Sequence, residues 1–322
     1  MIFVTGATGF VGRGLCTYLG SRFPIRIVVR DIAASSWPSG VQVVQGSISA
    51  NQQWAEALAG VSVVVHCAGR AHVMVEASRD PLSEFRQVNV DGTLCLARQA
   101  ADAGVRRFIF LSSIKALGEN TLRGKPFTAE HSPRPDGPHA VSKLEAEQAL
   151  RALSKETGME VVIIRPPLAY GPGVKANFLA MMGWVWRGVP LPFGGVTENR
   201  RSLVFLDNLV DLIVTCVDHP AAANQTFLVS DDEDLSTAEL LRRMAAALGR
   251  PARLIPVPVG LITLGAKLIG RPGIAQRLCG SLQVDIGKTE ALLGWTPPIS
   301  VDEGLRRTAE HWLTTERLRD AA

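Results

Sequence analysis

Tyrosine is nearly missing from this chain: of 322 residues only two are tyrosine, Tyr18 and Tyr170, which excludes a phenolic acid or base anywhere else. Cysteine is sparse. Cys16, Cys67, Cys95, Cys216 and Cys279 make an odd count without metal-ligand spacing, so neither a metal site nor a disulfide framework is expected. Most lie in apolar runs, as small core residues do, and the usage points to a reducing, cytoplasmic setting. Long apolar runs are lacking too. The most apolar later stretch, Val257 to Ile269, covers 13 residues with Lys267 inside it, whereas a bilayer needs about 20. It reads as a buried or interfacial helix, and no membrane span is expected. No signal peptide is expected either, because a strand starts at Met1 and Gly6 follows directly. Charge of one sign is also absent: 34 Lys and Arg against 30 Asp and Glu leave a net +4. The basic pairs Arg200-Arg201, Arg242-Arg243 and Arg306-Arg307 are scattered. That excludes the clustered basic face of a nucleic-acid binder, while a mild positive charge suits small anionic ligands. There is no internal repeat and no low-complexity segment.

What is present starts at the first residues. The length allows a large core and two domains, and 47% hydrophobic with 20% charged residues is ordinary for an α/β protein. The stretch Val4-Thr5-Gly6-Ala7-Thr8-Gly9-Phe10-Val11-Gly12 organises the chain. A short apolar run, Met1 to Thr5, precedes it, and Phe10, Val11, Leu15 and Leu19 follow on one side of a helix. Strand, glycine turn, helix is the context in which such a motif binds a dinucleotide. Gly6 allows the tight turn, Gly9 clears the approach of a pyrophosphate, and Gly12 lets the helix lie close on the sheet. The first helical amides and the helix dipole then face the phosphates.

The spacing is G-x-x-G-x-x-G, and Thr5 to Gly12 resembles the cofactor loop of the extended short-chain dehydrogenase/reductase family, the NAD-dependent epimerases and dehydratases. The resemblance implies an α/β fold: a Rossmann, doubly wound parallel sheet with a smaller, mostly C-terminal α/β substrate domain. The expected division is 1–165 plus about 204–230 for the dinucleotide, and about 166–203 plus 231–322 for the substrate. Strands are expected over Ile25–Val29, Val41–Val44, Val61–Cys67, Phe108–Leu111, Val161–Ile164 and Thr226–Val229, and helices over Asn51–Leu58, Pro81–Ala103 and from Val301 onward. After the second strand stand Arg30 and Asp31. An acidic residue there binds the ribose 2′-OH of NAD, and an arginine accommodates the 2′-phosphate of NADP. Both are present; Arg30 directly after the strand tips the choice of NAD(P) toward NADP, with Asp31 left to cap the turn. Ser47, followed by Ile48, stands where the family has an adenine-binding aspartate, and its hydroxyl can still hydrogen-bond. Cys67-Ala68-Gly69 match the small residues that let backbone pass the cofactor. His66 is read as a strand-end histidine. Asn89 to Thr93 resembles a motif whose asparagine braces the active-site helix.

The chemistry is expected at the later strand ends. Ser112 and Ser113 follow the strand Phe108–Leu111, in the crevice where α/β sheets bind ligands. By resemblance Ser113 holds the reacting sugar oxygen, with Ser112 beside it on the substrate. The family's Tyr-x-x-x-Lys is matched by His139-Ala140-Val141-Ser142-Lys143, with His139 in the tyrosine's place. Residues four apart share a helix face, so His139 and Lys143 point into one site. A phenol starts near pKa ~10 and imidazole near ~6.5, and a positive field pushes imidazole lower still. His139 is therefore expected mostly neutral at pH 7, able to take a proton from a hydroxyl but a poor donor to a ketone. Three explanations stay open: a working variant, an impaired site, or a shifted local match.

The segment Arg165-Pro166-Pro167-Leu168-Ala169-Tyr170-Gly171-Pro172-Gly173 resembles the family's R-P-x-x-x-Y-G-P-G, placing Pro166 at the nicotinamide end. Asn177 and Arg201 match diphosphate-binding positions, and a planar guanidinium suits that role. Asp207 is expected to cap a helix over Asn208–Val217, and Ser236 to Glu239 reads as a capping box. Gly294-Trp295-Thr296-Pro297 matches the family's usual ending. The resemblance implies an NAD(P)-dependent 4-epimerase or 4-keto reductase moving hydride at hexose C4 of a UDP-sugar, untypical at His139 and expected as a homodimer without nucleic-acid partners. The alternative is a catalytically impaired NAD(P)-binding sensor or scaffold of the same fold.

Overall fold

The structure, a computed structural model, describes residues 1–20, 22–32, 37–38, 40–71, 80–268, 270 and 272–320. The chain runs β1 (Ile2–Thr5), α1 (Phe10–Gly20), β2 (Ile25–Val29), β3 (Gln42–Gln45), α2 (Ala55–Leu58), β4 (Val63–His66), α3 (Pro81–Arg86), α4 (Thr93–Asp102), β5 (Arg107–Leu111), α5 (Gly137–Thr157) and β6 (Glu160–Arg165). It continues through β7 (Leu168–Tyr170), α6 (Ala176–Trp186), β8 (Leu203–Phe205), α7 (Leu206–Asp218), β9 (Thr226–Leu228), α8 (Thr237–Ala247), α9 (Val259–Leu268), α10 (Pro272–Cys279), α11 (Gly287–Leu293) and α12 (Val301–Asp320).

Seven of the strands form one parallel sheet in the order β3-β2-β1-β4-β5-β6-β9. The order reverses between β1 and β4, the switch point at which such sheets open a ligand crevice. The strands are short and apolar because both faces are covered; every residue of β1 and β4 is buried. Leu15, Leu19, Leu209 and Ile213 of α1 and α7 pack on one face. Leu96, Ala100, Leu150 and Leu153 of α4 and α5 pack on the other. A separate core gathers Tyr170, Phe178, Met182, Phe205, Leu241 and Trp312 from the later half. A two-stranded parallel sheet, β7 with β8, leads into that half.

Thr226–Leu228 joins the main sheet beside β6, as the sequence suggests. Other expectations give way. The stretch Pro81–Ala103 is not one regular helix: a π turn, Gln87–Gly92, separates α3 from α4. Asp207 does not cap α7. That helix begins at Leu206, straight out of β8, and Asp207 lies in its first turn, 3.2 Å from Arg307. The Phe205 amide at the cap is taken instead by Asp231 at 2.7 Å. Half of the capping box forms: Ser236 Oγ accepts from the Glu239 amide at 3.1 Å, but the Glu239 carboxylate turns to Arg243. Of the run Val257 to Ile269, α9 has no buried residue, so the buried alternative fails; Ile269 lies outside the described residues.

The glycine turn is set by contacts that no side chain could share. Gly6 has φ +69°, and a Cβ there would stand 2.7 Å from the Ala68 nitrogen after β4. A Cβ on Gly12 would meet the Gly6 carbonyl oxygen at 2.1 Å, so α1 crosses the turn at backbone contact. Gly12→Ala should therefore lose about 2–4 kcal/mol of stability, the upper range for overpacking against atoms that cannot rotate away. Urea unfolding measures it, and a loss below about 0.5 kcal/mol would contradict the close approach.

Candidate active site

The C-terminal ends of β4 and β5 meet at one side chain, Lys143. It is only 5% exposed, although it lies in the second turn of α5. Its Nζ donates to the Leu111 carbonyl at 2.8 Å and sits 4.5 Å over the Phe110 ring. Gly69 makes room for it, since a Cβ there would fall 3.2 Å from Nζ and 3.1 Å from Asn89 Oδ1. Burial pulls the lysine pKa down to about 8, and the charge of Glu147 opposes that pull. An ammonium that loses solvent in this way is poised to hold an oxygen-rich ligand.

Asn89 braces the arrangement from the π turn. Its Nδ2 donates to Ser142 Oγ at 2.9 Å and to the Arg70 carbonyl at 3.1 Å, while Oδ1 accepts from the Arg70 amide at 2.7 Å. Ser142 Oγ donates in turn to the His139 carbonyl at 2.9 Å, fixing the first turn of α5. His139 is half-buried and presents its ring edge-on to Phe85, centroids 6.0 Å apart. It lies one turn before Lys143. Tyr18 cannot substitute, because it lies on α1 with Arg22 stacked on its ring. Tyr170 is fully buried in the later core, where burial raises its pKa, and its OH donates to the Val301 carbonyl at 3.4 Å.

Ser113 is half-buried at the end of β5, its Oγ accepting from the Lys115 amide at 3.2 Å. That bond leaves the hydroxyl proton to give. Ser112 departs from its expected role on the substrate. Its buried hydroxyl donates to Glu147 at 2.5 Å, and Glu147 holds Arg165 through a bond from Nε at 2.9 Å and a second from Nη2. Both charged partners are almost fully buried. Ser112 thus ties β5 to α5 and β6, whereas Ser113 stays half-buried outside that network. Sequence reading passed over Glu147 and Arg165. The available signal was Glu147 four residues after Lys143, on the same helix face, with an arginine closing an apolar strand.

The cofactor side is assembled around the switch point. Thr5 Oγ1 accepts from the Ala68 amide at 3.2 Å and contacts His66 Nδ1 at 2.7 Å, and His66 Nε2 reaches Thr93 Oγ1 at 2.9 Å. Burial, helped by Lys143, lowers the His66 pKa to about 3, so this histidine, which closes β4, is a neutral strut. Gly6, Gly9, Phe10, Val11 and Gly12 line the turn beside Cys67, Ala68 and Gly69, and the first turn of α1 carries no acidic side chain. Burial raises the Cys67 thiol to about 12, which makes it a packing group there. Arg30 and Ser47 are exposed beyond β2 and β3, Ile48 is half-buried against Gly92, and Gln45 holds the Arg30 carbonyl at 3.2 Å. Pro166 is buried, its carbonyl accepting from the Ile114 amide at 3.0 Å.

Asn177 and Arg201 come from other elements, α6 and the segment before β8. Asn177 is exposed at the start of α6, after Ala176 with a left-handed φ of +56°. Arg201 is half-buried, its Nη1 donating to the Gly280 carbonyl at 3.2 Å; burial lowers its pKa and the charge of Glu119 opposes that. A cleft of about 780 Å³ opens between α1, α7 and α12, bordered by Gly9, Arg13, Tyr18, Asp207 and His311. Ser113, His139 and Lys143 do not line it, so it is not where the chemistry converges.

Residues 2–230 match the model of the NAD dependent epimerase/dehydratase family. The chain is 51% identical over 314 residues to a UDP-glucose 4-epimerase of Vibrio cholerae, covering 97% of this chain and 95% of that one. Among solved structures, UDP-glucose 4-epimerase from Thermotoga maritima with UDP-glucose superposes with a TM-score of 0.76 at 22% identity, covering 98% of this chain and 99% of that one. MoeE5 in complex with UDP-glucose and NAD gives 0.77 at 22% identity with the same coverage. The two structures share this fold.

Because the folded-state pKa of Lys143, about 8, lies below the ordinary lysine value of 10.5, the unfolded chain holds more protons between those pH values. The lysine's penalty on folding is full below pH 8 and fades as pH rises to 10.5. Lys143→Met should therefore be more stable than the parent at pH 7, by up to about 3 kcal/mol, with the gap closing toward pH 10.5. A gap independent of pH in chemical denaturation would contradict a buried ammonium.

Proposed function

The chain belongs to the NAD dependent epimerase/dehydratase family, and on that premise we propose that it is a nucleotide-sugar 4-epimerase acting at hexose C4 of a UDP-sugar. The observation that carries the reading is the buried Lys143, bonded to the Leu111 carbonyl two residues before Ser113 and one turn after His139 on α5. The residues fit NAD: a Cβ on Gly6, Gly12 or Gly69 would fill the cradle, and α1 offers its amino end there. When bound, NAD supplies the hydride sink and source at C4. Lys143 holds the nicotinamide ribose and places positive charge nearby. Ser113 donates to the sugar O4. His139 takes the O4 proton as C4 is oxidised and returns it as C4 is reduced.

The remaining assignments belong to the same proposal. Residues 1–165 with about 204–230 hold the dinucleotide, and about 166–203 with 231–322 hold the substrate. Pro166 lines the nicotinamide end, while Asn177 and Arg201 take the substrate diphosphate. The protein works in the cytoplasm as a homodimer. The exposed Arg30 favours NADP over NAD, Asp31 notwithstanding. Arg30→Glu should weaken NADPH about tenfold relative to NADH in a fluorescence titration; an unchanged ratio removes Arg30 from the site.

The missing tyrosine favours a second reading, a cofactor-binding protein without turnover. UDP-glucose incubated with the parent and NAD separates the two. The first reading expects UDP-galactose, formed about 100-fold more slowly by His139→Ala, the size of one lost acid–base group. A parent that binds NAD without turnover, while His139→Tyr gains it, supports the second.

A further inference from the structure

α9 is a helix with no interior. None of its residues is buried, and Leu261, Leu264 and Leu268 are 59%, 53% and 80% exposed. Of the twelve large hydrophobic residues exposed among the described residues, seven fall between Trp184 and Leu268. They share one lobe. The Leu191 and Gly194 amides bond the Arg253 and Ile255 carbonyls at 2.9 Å, joining the loop after α6 to the segment before α9. α9 then packs on α10, and an apolar hollow of about 340 Å³ opens between them, bordered by Phe193, Leu261, Ile262 and Leu278.

The charge around this lobe is one-sided. Residues 240–284 contain seven Lys and Arg and no Asp or Glu, more positive charge than the +4 of the whole chain. Arg243 is neutralised by Glu233 and Glu239. Arg253, Lys267 and Arg277 are exposed, and the Arg250 guanidinium lies 3.9 Å over the Trp186 ring at the base of the lobe. Basic pairs that look scattered along the chain thus conceal a long segment without acids.

We propose that the α9–α10 lobe docks on an anionic phospholipid surface, α9 lying in the plane of the headgroups. Exposed leucines on a short helix, a half-exposed tryptophan nearby and a basic rim are what such a surface selects. A second copy of this chain is a poorer occupant, because pairing the lobe with itself brings like charges together. The helix is too short to cross a bilayer, and no helix among the described residues is long and apolar enough to do so.

Flotation of the full chain with vesicles tests this. Expected is co-flotation with phosphatidylglycerol–phosphatidylethanolamine vesicles, at least tenfold weaker with phosphatidylcholine alone and weakened by 0.5 M salt, on the order expected for a screened surface contact. Leu264→Ser/Leu268→Ser and Lys267→Glu should each lower it at least about fivefold, with melting temperature unchanged because the side chains are exposed. The proposal is overturned if the parent stays with the soluble fraction, if the variants float equally well, or if they change only the sedimentation coefficient. Flotation is independent of turnover, so its failure leaves the C4 chemistry intact.

Discussion

A cation held out of water is the constraint around which this site is arranged. Lys143 donates to the Leu111 carbonyl and has the face of Phe110 below it. Everything close to it keeps that place open or rigid. Gly69 withholds a side chain, and Asn89 ties the loop after β4 to the first turn of α5. One turn deeper, Glu147 offers opposite charge but is already committed to Arg165 and Ser112. A buried ion pair of that kind is seldom a net source of stability, yet breaking it is costly. Its geometry here locks β5, α5 and β6 together beneath the reacting groups.

The glycine turn, the parallel strands and the helix carrying His139 and Lys143 were legible because each rests on local rules. Tight turns need glycine, buried parallel strands need short apolar runs, and four-residue spacing makes one face. What escaped depends on partners distant in sequence. Ser112 and Ser113 look alike as neighbours; only the position of Glu147 sends one inward, while the other turns to the Lys115 amide. Asp207 has the chemistry of a cap, but β8 runs into α7 without the loop a cap requires, and Arg307 is within reach. The apolar run Val257 to Ile269 reads as a buried or interfacial helix, and nothing in the run itself tells that α9 buries none of its residues.

The position of His139 carries a physical consequence for the chemistry. Tyrosine in this place would begin protonated, a weak acid whose pKa must fall before it can serve as a base. Histidine begins as a base, and its backbone carbonyl is already engaged by Ser142 while its ring rests against Phe85. The rest of the constellation does not depend on which of the two stands there. Lys143, Ser113 and the struts behind them are braced from other elements.

The π turn between α3 and α4 has its own consequence. One additional residue in a helical turn advances everything after it by about 100°. The residues of α4 are therefore rotated from where an unbroken continuation of α3 would put them. Asn89 lies inside the widened turn and so points across to Ser142 instead of along its own helix. The rod is keyed: it fits against α5 at a single rotation, and neither segment can slip by a residue without withdrawing that key.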